Sequence, residues 1–230
     1  MTSLLQLTDI SVNRKNHQIL NNVSLDIPAN KIFGLLGNNG AGKTTLLKTI
    51  LLMNKKFDGR IVYQGNLLTR LDIKEFGALI ESPALYPHLT AHDNLEIMVK
   101  LYNLPESTIN DTLKKVGLDN IDTKKPVKKF SLGMKQRLGI GMAIIHKPAL
   151  LILDEPTNGL DINGVEDFKN ILSALRDDGM TIMITTHQIT DLASLFDSFA
   201  ILKDGQICFT SPDGITSPTE LKSIYQHYTN

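Results

Sequence analysis

The chain has 230 residues with 24 basic and 24 acidic side chains, a formal net charge of zero, which excludes nucleic-acid binding through a general cationic field. That length can hold one sizeable core with a modest inserted subdomain. The single cysteine, Cys208, excludes an intrachain disulfide and reads as a small half-buried strand residue. The stretch from Met1 to His17 lacks a basic segment followed by a long apolar one, and no apolar run approaches the ~20 residues that a membrane span needs. The expectation is a soluble, cytoplasmic chain whose membrane part, if any, is another polypeptide.

In chain order, residues 17–27 alternate near their end, with Val23, Leu25 and Ile27 on one face and Ser24 and Asp26 on the other. That pattern predicts a half-buried antiparallel strand. Lys31 to Leu36 is a short apolar strand entering a glycine-rich turn, and a helix follows from Gly42 with Leu46, Leu47, Ile50 and Leu51 as its apolar face. Residues 82–145 read as helical. Thr90 with Asp93 forms a capping box that opens a helix through about Asn103, and a second amphipathic segment, 106–117, stops at Gly117. Gly139 and Gly141 sit inside a later helix at about 1 kcal/mol each in propensity, and close packing against a neighbour is expected to explain them. Strand Leu150–Leu153, a helix near 164–176, strand Thr181–Thr185 and a helix near 188–196 then alternate, and Asp204-Gly205 marks a hairpin within Phe199–Phe209. The predicted fold class is α/β: a mostly parallel sheet, an antiparallel β edge and an inserted helical subdomain. Residues 1–81 and 146–210 make the core and β edge, 82–145 the helical subdomain and 211–230 a C-terminal tail.

Gly37-Asn38-Asn39-Gly40-Ala41-Gly42-Lys43-Thr44 is an instance of the GxxxxGK[ST] phosphate loop. Its glycines permit backbone conformations closed to other residues and bring N–H groups against phosphate oxygens. The helix that follows points its positive end at the anion. Lys43 reaches the terminal phosphates, the Thr44 hydroxyl is a Mg²⁺ ligand, and Thr45 completes the nucleotide-binding set. A strand before and a helix after the loop supply the context this chemistry requires.

The second half of the site is Leu150 to Pro156, an apolar strand ending in two adjacent carboxylates, Asp154 and Glu155. Neighbouring strand residues point to opposite sides, so the two acids take different tasks. Asp154 suits the Mg²⁺ shell, and Glu155 suits polarising a water for attack on the γ-phosphate.

Phe130-Ser131-Leu132-Gly133-Met134-Lys135-Gln136-Arg137 resembles the signature sequence of ABC-transporter ATPases, usually LSGGQ-x-x-R. Thr157-Asn158-Gly159-Leu160-Asp161 looks like that family's D-loop, and His187 matches its switch histidine. All three stand in the family's order, and the resemblance spans nearly the whole chain. It implies a P-loop NTPase that binds ATP with Mg²⁺ and hydrolyses it to drive a separate membrane permease. Ser131 and the Gly133 backbone would bind the γ-phosphate of ATP held by a partner ATPase, His187 would contact the same phosphate and the water, and Asp161 would link the two sites. A homodimer or heterodimer of such subunits follows, with no nucleic-acid partner. The chain would sit at the inner face of the cell membrane, held there only through the permease.

Three departures stand out. Leu132 and Met134 replace the usual glycine and glutamine of the signature. No aromatic stands at the adenine-stacking position; Arg14 falls nearest, with His17 a second candidate. At the Q-loop, after Gly77-Ala78-Leu79-Ile80, comes Glu81-Ser82-Pro83. A glutamate keeps an oxygen for Mg²⁺ but adds charge beside the phosphates. This E-loop context resembles the ATPases that protect bacteria against lantibiotics and bacitracin-like peptides, and it implies that Glu81 couples nucleotide state to the permease. The rival readings are an ABC ATPase acting on ribosomes or DNA, which would bring a second cassette or a long coiled-coil insertion, and a nucleotide-gated regulatory module, against which Glu155 and His187 speak. His88 and His92 straddle a helix start, with no third metal ligand expected near them. The lysines of 124–129 read as a solvated approach to the signature helix; a second reading is that they draw in nucleotide or anionic lipid headgroups.

Overall fold

The computed structural model of the protein describes residues 3–15, 17–211 and 217–229. In chain order the elements are β1 (Ser3–Arg14), β2 (His17–Pro28), β3 (Ile32–Leu36), α1 (Lys43–Ile50), β4 (Asp58–Tyr63), β5 (Asn66–Leu67), β6 (Phe76–Leu79), α2 (Ala91–Tyr102), α3 (Thr108–Lys115), α4 (Leu132–Ile144), β7 (Leu150–Asp154), α5 (Ile162–Asp177), β8 (Thr181–Thr186), α6 (Ile189–Leu192), β9 (Ser198–Lys203), β10 (Gln206–Ser211) and α7 (Pro218–Thr229). Two sheets result. One is antiparallel with the order β2-β1-β4-β5, and the other has the order β10-β9-β3-β8-β7-β6. In the second sheet β9, β3, β8, β7 and β6 run parallel, and β10 folds back antiparallel on β9.

Alternation in the parallel strands builds two cores. Leu151 and Leu153 of β7, Ile182 and Ile184 of β8, and Phe199 and Ile201 of β9 join the helices on one face. Leu150 and Ile152, Met183, and Ala200 and Leu202 face the other way, onto α1 and the antiparallel sheet. Both faces are covered, so these strands read as continuous apolar runs. β2 shows the predicted half-burial, with Val23, Leu25 and Ile27 inside and Ser24 and Asp26 outside.

The capping box is present, with the Thr90 hydroxyl accepting from Asp93 N–H at 3.1 Å and Asp93 Oδ2 accepting from Thr90 N–H at 3.0 Å. Close packing explains Gly139 but not Gly141. A Cβ on Gly139 would lie 2.7 Å from Pro83 and 2.9 Å from Leu79, whereas one on Gly141 would meet Thr112 no closer than 3.4 Å. Gly139 therefore lets α4 close onto β6 and the segment after it. The helix expected near 188–196 is shorter: α6 gives way to a 3₁₀ turn over Ala193–Leu195. Of the expected tail, residues 212–216 and 230 lie outside the described residues, and the rest is mainly α7. Among the described residues, no helix is long and apolar enough to cross a membrane.

Candidate active site

The parity of β7 separates the two acids. Asp154 continues the Leu150–Ile152 face toward α1, where its Oδ2 accepts the Thr44 hydroxyl at 2.7 Å and its Oδ1 the Thr185 hydroxyl at 2.6 Å. Glu155 leaves the strand in the left-handed region, φ 49°, which swings its carboxylate to a different place. Glu155 Oε1 lies 2.9 Å from Lys43 Nζ and Oε2 lies 2.7 Å from His187 Nδ1. The backbone N–H of Glu155 is held by Thr185 Oγ1 at 3.0 Å. Lys43, Thr44, Asp154, Glu155 and His187 thus meet at the ends of β3, β7 and β8.

The phosphate loop has the required shape. Gly40 and Gly42 have φ of 84° and 109°, and a Cβ on Gly42 would lie 2.8 Å from Leu20. Lys43 is almost fully buried, 6 % exposed, and its ammonium donates to the carbonyls of Gly37 (2.7 Å) and Asn38 (3.2 Å) as well as facing Glu155. Burying a cation is tolerable only with such partners. Glu155 Oε1 is buried and makes no hydrogen bond of good geometry despite its ion pair with Lys43. The residues present fit a nucleotide phosphate and its Mg²⁺, with Thr44 and Asp154 the oxygen donors that suit a hard cation.

Glu81 does not point into this cluster. Its backbone is left-handed, φ 64°, and its carboxylate pairs with Lys48 Nζ of α1 at 2.6 Å, with 67 % of the side chain exposed. The Lys48 ammonium beside it holds the Glu81 carboxyl below the usual carboxylate range. Arg14 closes the β1–β2 hairpin opposite His17, and its guanidinium donates to Asn54 Oδ1 at 3.3 Å. Asn54 in turn donates to the Thr45 carbonyl at 3.0 Å, which ties Arg14 to the phosphate-loop helix.

The signature residues lie elsewhere. Ser131 caps α4, accepting from Met134 N–H at 3.2 Å, and Asp161 caps α5, accepting from Gly164 N–H at 2.7 Å. Ser131, Gly133 and Asp161 line a cleft of about 340 Å³ whose walls, among the described residues, include none of residues 37–45. The substituted Leu132 is half exposed and packs toward Gly159, where a Cβ would lie 2.9 Å from its methyl. The signature residues and the phosphate loop therefore occupy separate places on the chain.

Sequence reading passed over several side chains that the geometry brings forward. Thr185 orients both acids, and Gln136, buried in α4, donates to the Pro156 carbonyl at 2.8 Å, joining the signature helix to the acids' strand. Lys48 partners Glu81. None lies at a motif position whose chemistry announces it, and only the position of Thr185 at the end of a strand beside β7 was a signal. The expectation that no third ligand stands near His92 is corrected: His92, Asp93 and Glu96 offer ligand atoms within 4.8 Å of one another, since i and i+4 share a helix face. Asp93 is occupied as the helix cap, however, and Glu96 pairs with Lys100 at 2.6 Å. In the lysine run, Lys128 and Lys129 are exposed, and Lys125 lies 5.8 Å over the Phe130 ring.

A glycine-rich loop between a parallel strand and a helix, with a Thr–Asp pair and a Lys–Glu–His chain rooted on a buried lysine, defines a P-loop NTPase. Residues 20–158 match the ABC transporter family. The lantibiotic transport ATP-binding protein SrtF of Streptococcus pyogenes is 43% identical over 204 residues, covering 89% of this chain and 89% of that protein. The bacitracin transport ATP-binding protein BcrA of Bacillus licheniformis is 36% identical over 212 residues, covering 90% of this chain and 69% of that protein. Among solved structures, cbiO1 from Clostridium perfringens, part of the ABC transporter complex cbiONQ, matches with a TM-score of 0.85 at 26% identity, covering 97% of this chain and 92% of that one. The chain belongs to the ABC transporter family as an ATP-binding, ATP-hydrolysing subunit.

Proposed function

We propose that this subunit powers a separate membrane permease that expels a peptide antibiotic of the lantibiotic or bacitracin class, and that it works as one half of a nucleotide-sandwich dimer at the cytoplasmic face of the membrane. The observation that carries the dimer is a separation: Lys43 meets Glu155 at the phosphate loop, whereas Ser131 lines a cleft that none of residues 37–45 enters. The names and identities of SrtF and BcrA support the substrate class, and Glu81 at the Q-loop position agrees with it.

In this reading residues 37–45 cradle the phosphates, Lys43 and His187 contact the γ-phosphate, and Ser131 with the Gly133 backbone closes on it from the partner. Thr44 and Asp154 would hold Mg²⁺, with Glu81 joining them on leaving Lys48, and the ion would supply charge neutralisation. Asp161 links the two sites, and Arg14 stacks on the base. Glu155 takes the proton of the attacking water once it is released from Lys43. Residues 82–145 form the helical subdomain that carries Ser131 toward the partner, and Glu81, at its border with the core, relays the nucleotide state.

Two measurements test this. Cells expressing the chain with its permease should survive higher peptide concentrations than cells expressing the Glu155→Gln variant, and equal survival sinks the substrate class. ATP-loaded Glu155→Gln protein should sediment as a dimer, alone or with the permease, and a strictly monomeric species in both conditions sinks the sandwich.

A further inference from the structure

The far end of the chain returns to the phosphate loop. In α7 the Tyr225 ring is buried with Leu221 in the large core beneath the sheet, and its hydroxyl donates to Asn38 Oδ1 at 2.8 Å, across 187 positions of sequence. Asn38 is the second residue of the loop. Its own carbonyl accepts from Lys43 Nζ at 3.2 Å and from Ala41 N–H at 3.1 Å, so its placement sets the loop's curvature and the lysine's. The outer side of the loop receives a second brace, Gly205 N–H to the Ala41 carbonyl at 3.1 Å. Thr229, one turn past Tyr225, lines a small hollow of about 180 Å³ with Asn38, Asn39 and Gly40. Burial first, and then the negative charge of Glu155, push the Tyr225 hydroxyl pKa up, so it stays a protonated donor within reach of the catalytic acid's field.

We infer that Tyr225 is a positioning residue for the phosphate loop, and that α7 and the loop form one linked element in which nucleotide binding and the ordering of α7 favour each other. The inference rests on the reading of residues 37–45 as the phosphate cradle. The ring is fixed by packing, so the hydroxyl arrives with its orientation already set and holds Asn38 without freezing a free side chain. Linkage is reciprocal: whatever α7 adds to nucleotide affinity, nucleotide must add to the stability of α7.

The test uses the full chain with Mg²⁺ and a fluorescent ATP analogue. Tyr225→Phe keeps the packing and removes one hydrogen bond, part of which water can replace because Asn38 is exposed. The Kd and KM for ATP should rise roughly two- to fivefold with kcat within twofold. Tyr228→Phe, on the same helix but packed at a tilt against Phe209, should change neither. The Tyr225→Phe effect should vanish in an Asn38→Ala background, since the two partners share one interaction. ATP should also slow amide exchange in residues 218–229 of the parent, and much less so in Tyr225→Phe, a readout that a merely structural tyrosine would not move. Parental affinity in Tyr225→Phe, or α7 exchange indifferent to ATP in the parent, overturns the inference. Lys43→Ala separates the two levels: if it binds ATP as tightly as the parent, the cradle reading itself fails, whatever Tyr225 does.

Discussion

In the structure Lys43, 6 % exposed, is neutralised by the Glu155 carboxylate at 2.9 Å, and the same carboxylate holds His187 at 2.7 Å. The anion that should later receive a proton from water thus occupies the place before Lys43 that a γ-phosphate must take. Replacing Glu155 by glutamine keeps the shape and removes the charge, with two effects of opposite sign. ATP no longer displaces a charged partner, worth about 0.5–1.5 kcal/mol for an ion pair without a well-aligned hydrogen bond, so its affinity should rise roughly two- to tenfold. Turnover should fall roughly 100- to 10,000-fold as the general base is lost. Equilibrium titration with a fluorescent ATP analogue reads the first and phosphate release at saturating ATP the second. Tighter binding with persistent rapid turnover refutes Glu155 as the base. Arrested turnover with parental affinity refutes the displacement argument and leaves the base standing.

Thr185→Val removes the outer-shell hydroxyl that orients Asp154 at 2.6 Å, and the Mg²⁺ concentration for half-maximal ATPase activity should rise about 10- to 100-fold; an unchanged Mg²⁺ titration contradicts this. Gly139→Ala should lose about 1–3 kcal/mol to overpacking against Pro83 and Leu79, partly offset by about 1 kcal/mol of helix propensity, whereas Gly141→Ala, whose nearest neighbour stands at 3.4 Å, should be neutral or stabilised. Urea unfolding distinguishes the two, and equal midpoints would show that the contacts yield freely. His146 stacks on Tyr102 with ring centroids 4.1 Å apart, and burial holds its pKa below the ordinary 6.5. The folded state then resists the proton that the unfolded chain accepts, so stability is full above about pH 6.5 and declines below it. His146→Phe should flatten the melting temperature between pH 5 and 7, and parallel curves for the two proteins would exclude this histidine. Glu81→Gln should alter the coupling of ATP hydrolysis to transport, and indistinguishable rates of both would remove Glu81 from the relay.

Motif chemistry made the site readable from sequence, because a phosphate loop and paired acids after an apolar strand demand particular residue types at fixed offsets. The fold was readable for a related reason: strands covered on both faces appear as uninterrupted apolar runs such as Leu150–Leu153, and the Thr90–Asp93 box and Asp204-Gly205 turn are local signals. What escaped were interactions between distant segments. Tyr225 meets Asn38 across 187 positions, Gln136 meets Pro156 and Lys48 meets Glu81. Each depends on which faces the topology places together, and periodicity within a segment carries no such information. The left-handed turns at Glu81 and Glu155 escaped for another reason: that conformation usually marks glycine or asparagine, and here tertiary partners hold two glutamates in it.

Those two strained glutamates give the site its logic. Each is turned by an unusual backbone toward a lysine of the phosphate-loop helix, Glu155 toward Lys43 and Glu81 toward Lys48. Both lysines are therefore already paired before any nucleotide arrives. On the proposed reading, a polyphosphate that claims Lys43 displaces Glu155, and Glu81 reaches a Mg²⁺ ion by leaving Lys48. The two departures differ in weight. The Lys43–Glu155 pair lies mostly out of solvent, with side chains 6 % and 17 % exposed, while the Lys48–Glu81 pair is solvent-washed and screened. Filling the loop thus has to overcome the first contact, whereas the second yields to a small bias. That asymmetry suits Glu155 to hydrolysis, where the base comes free as nucleotide claims Lys43, and Glu81 to signalling, where a contact near balance passes a change outward with little resistance.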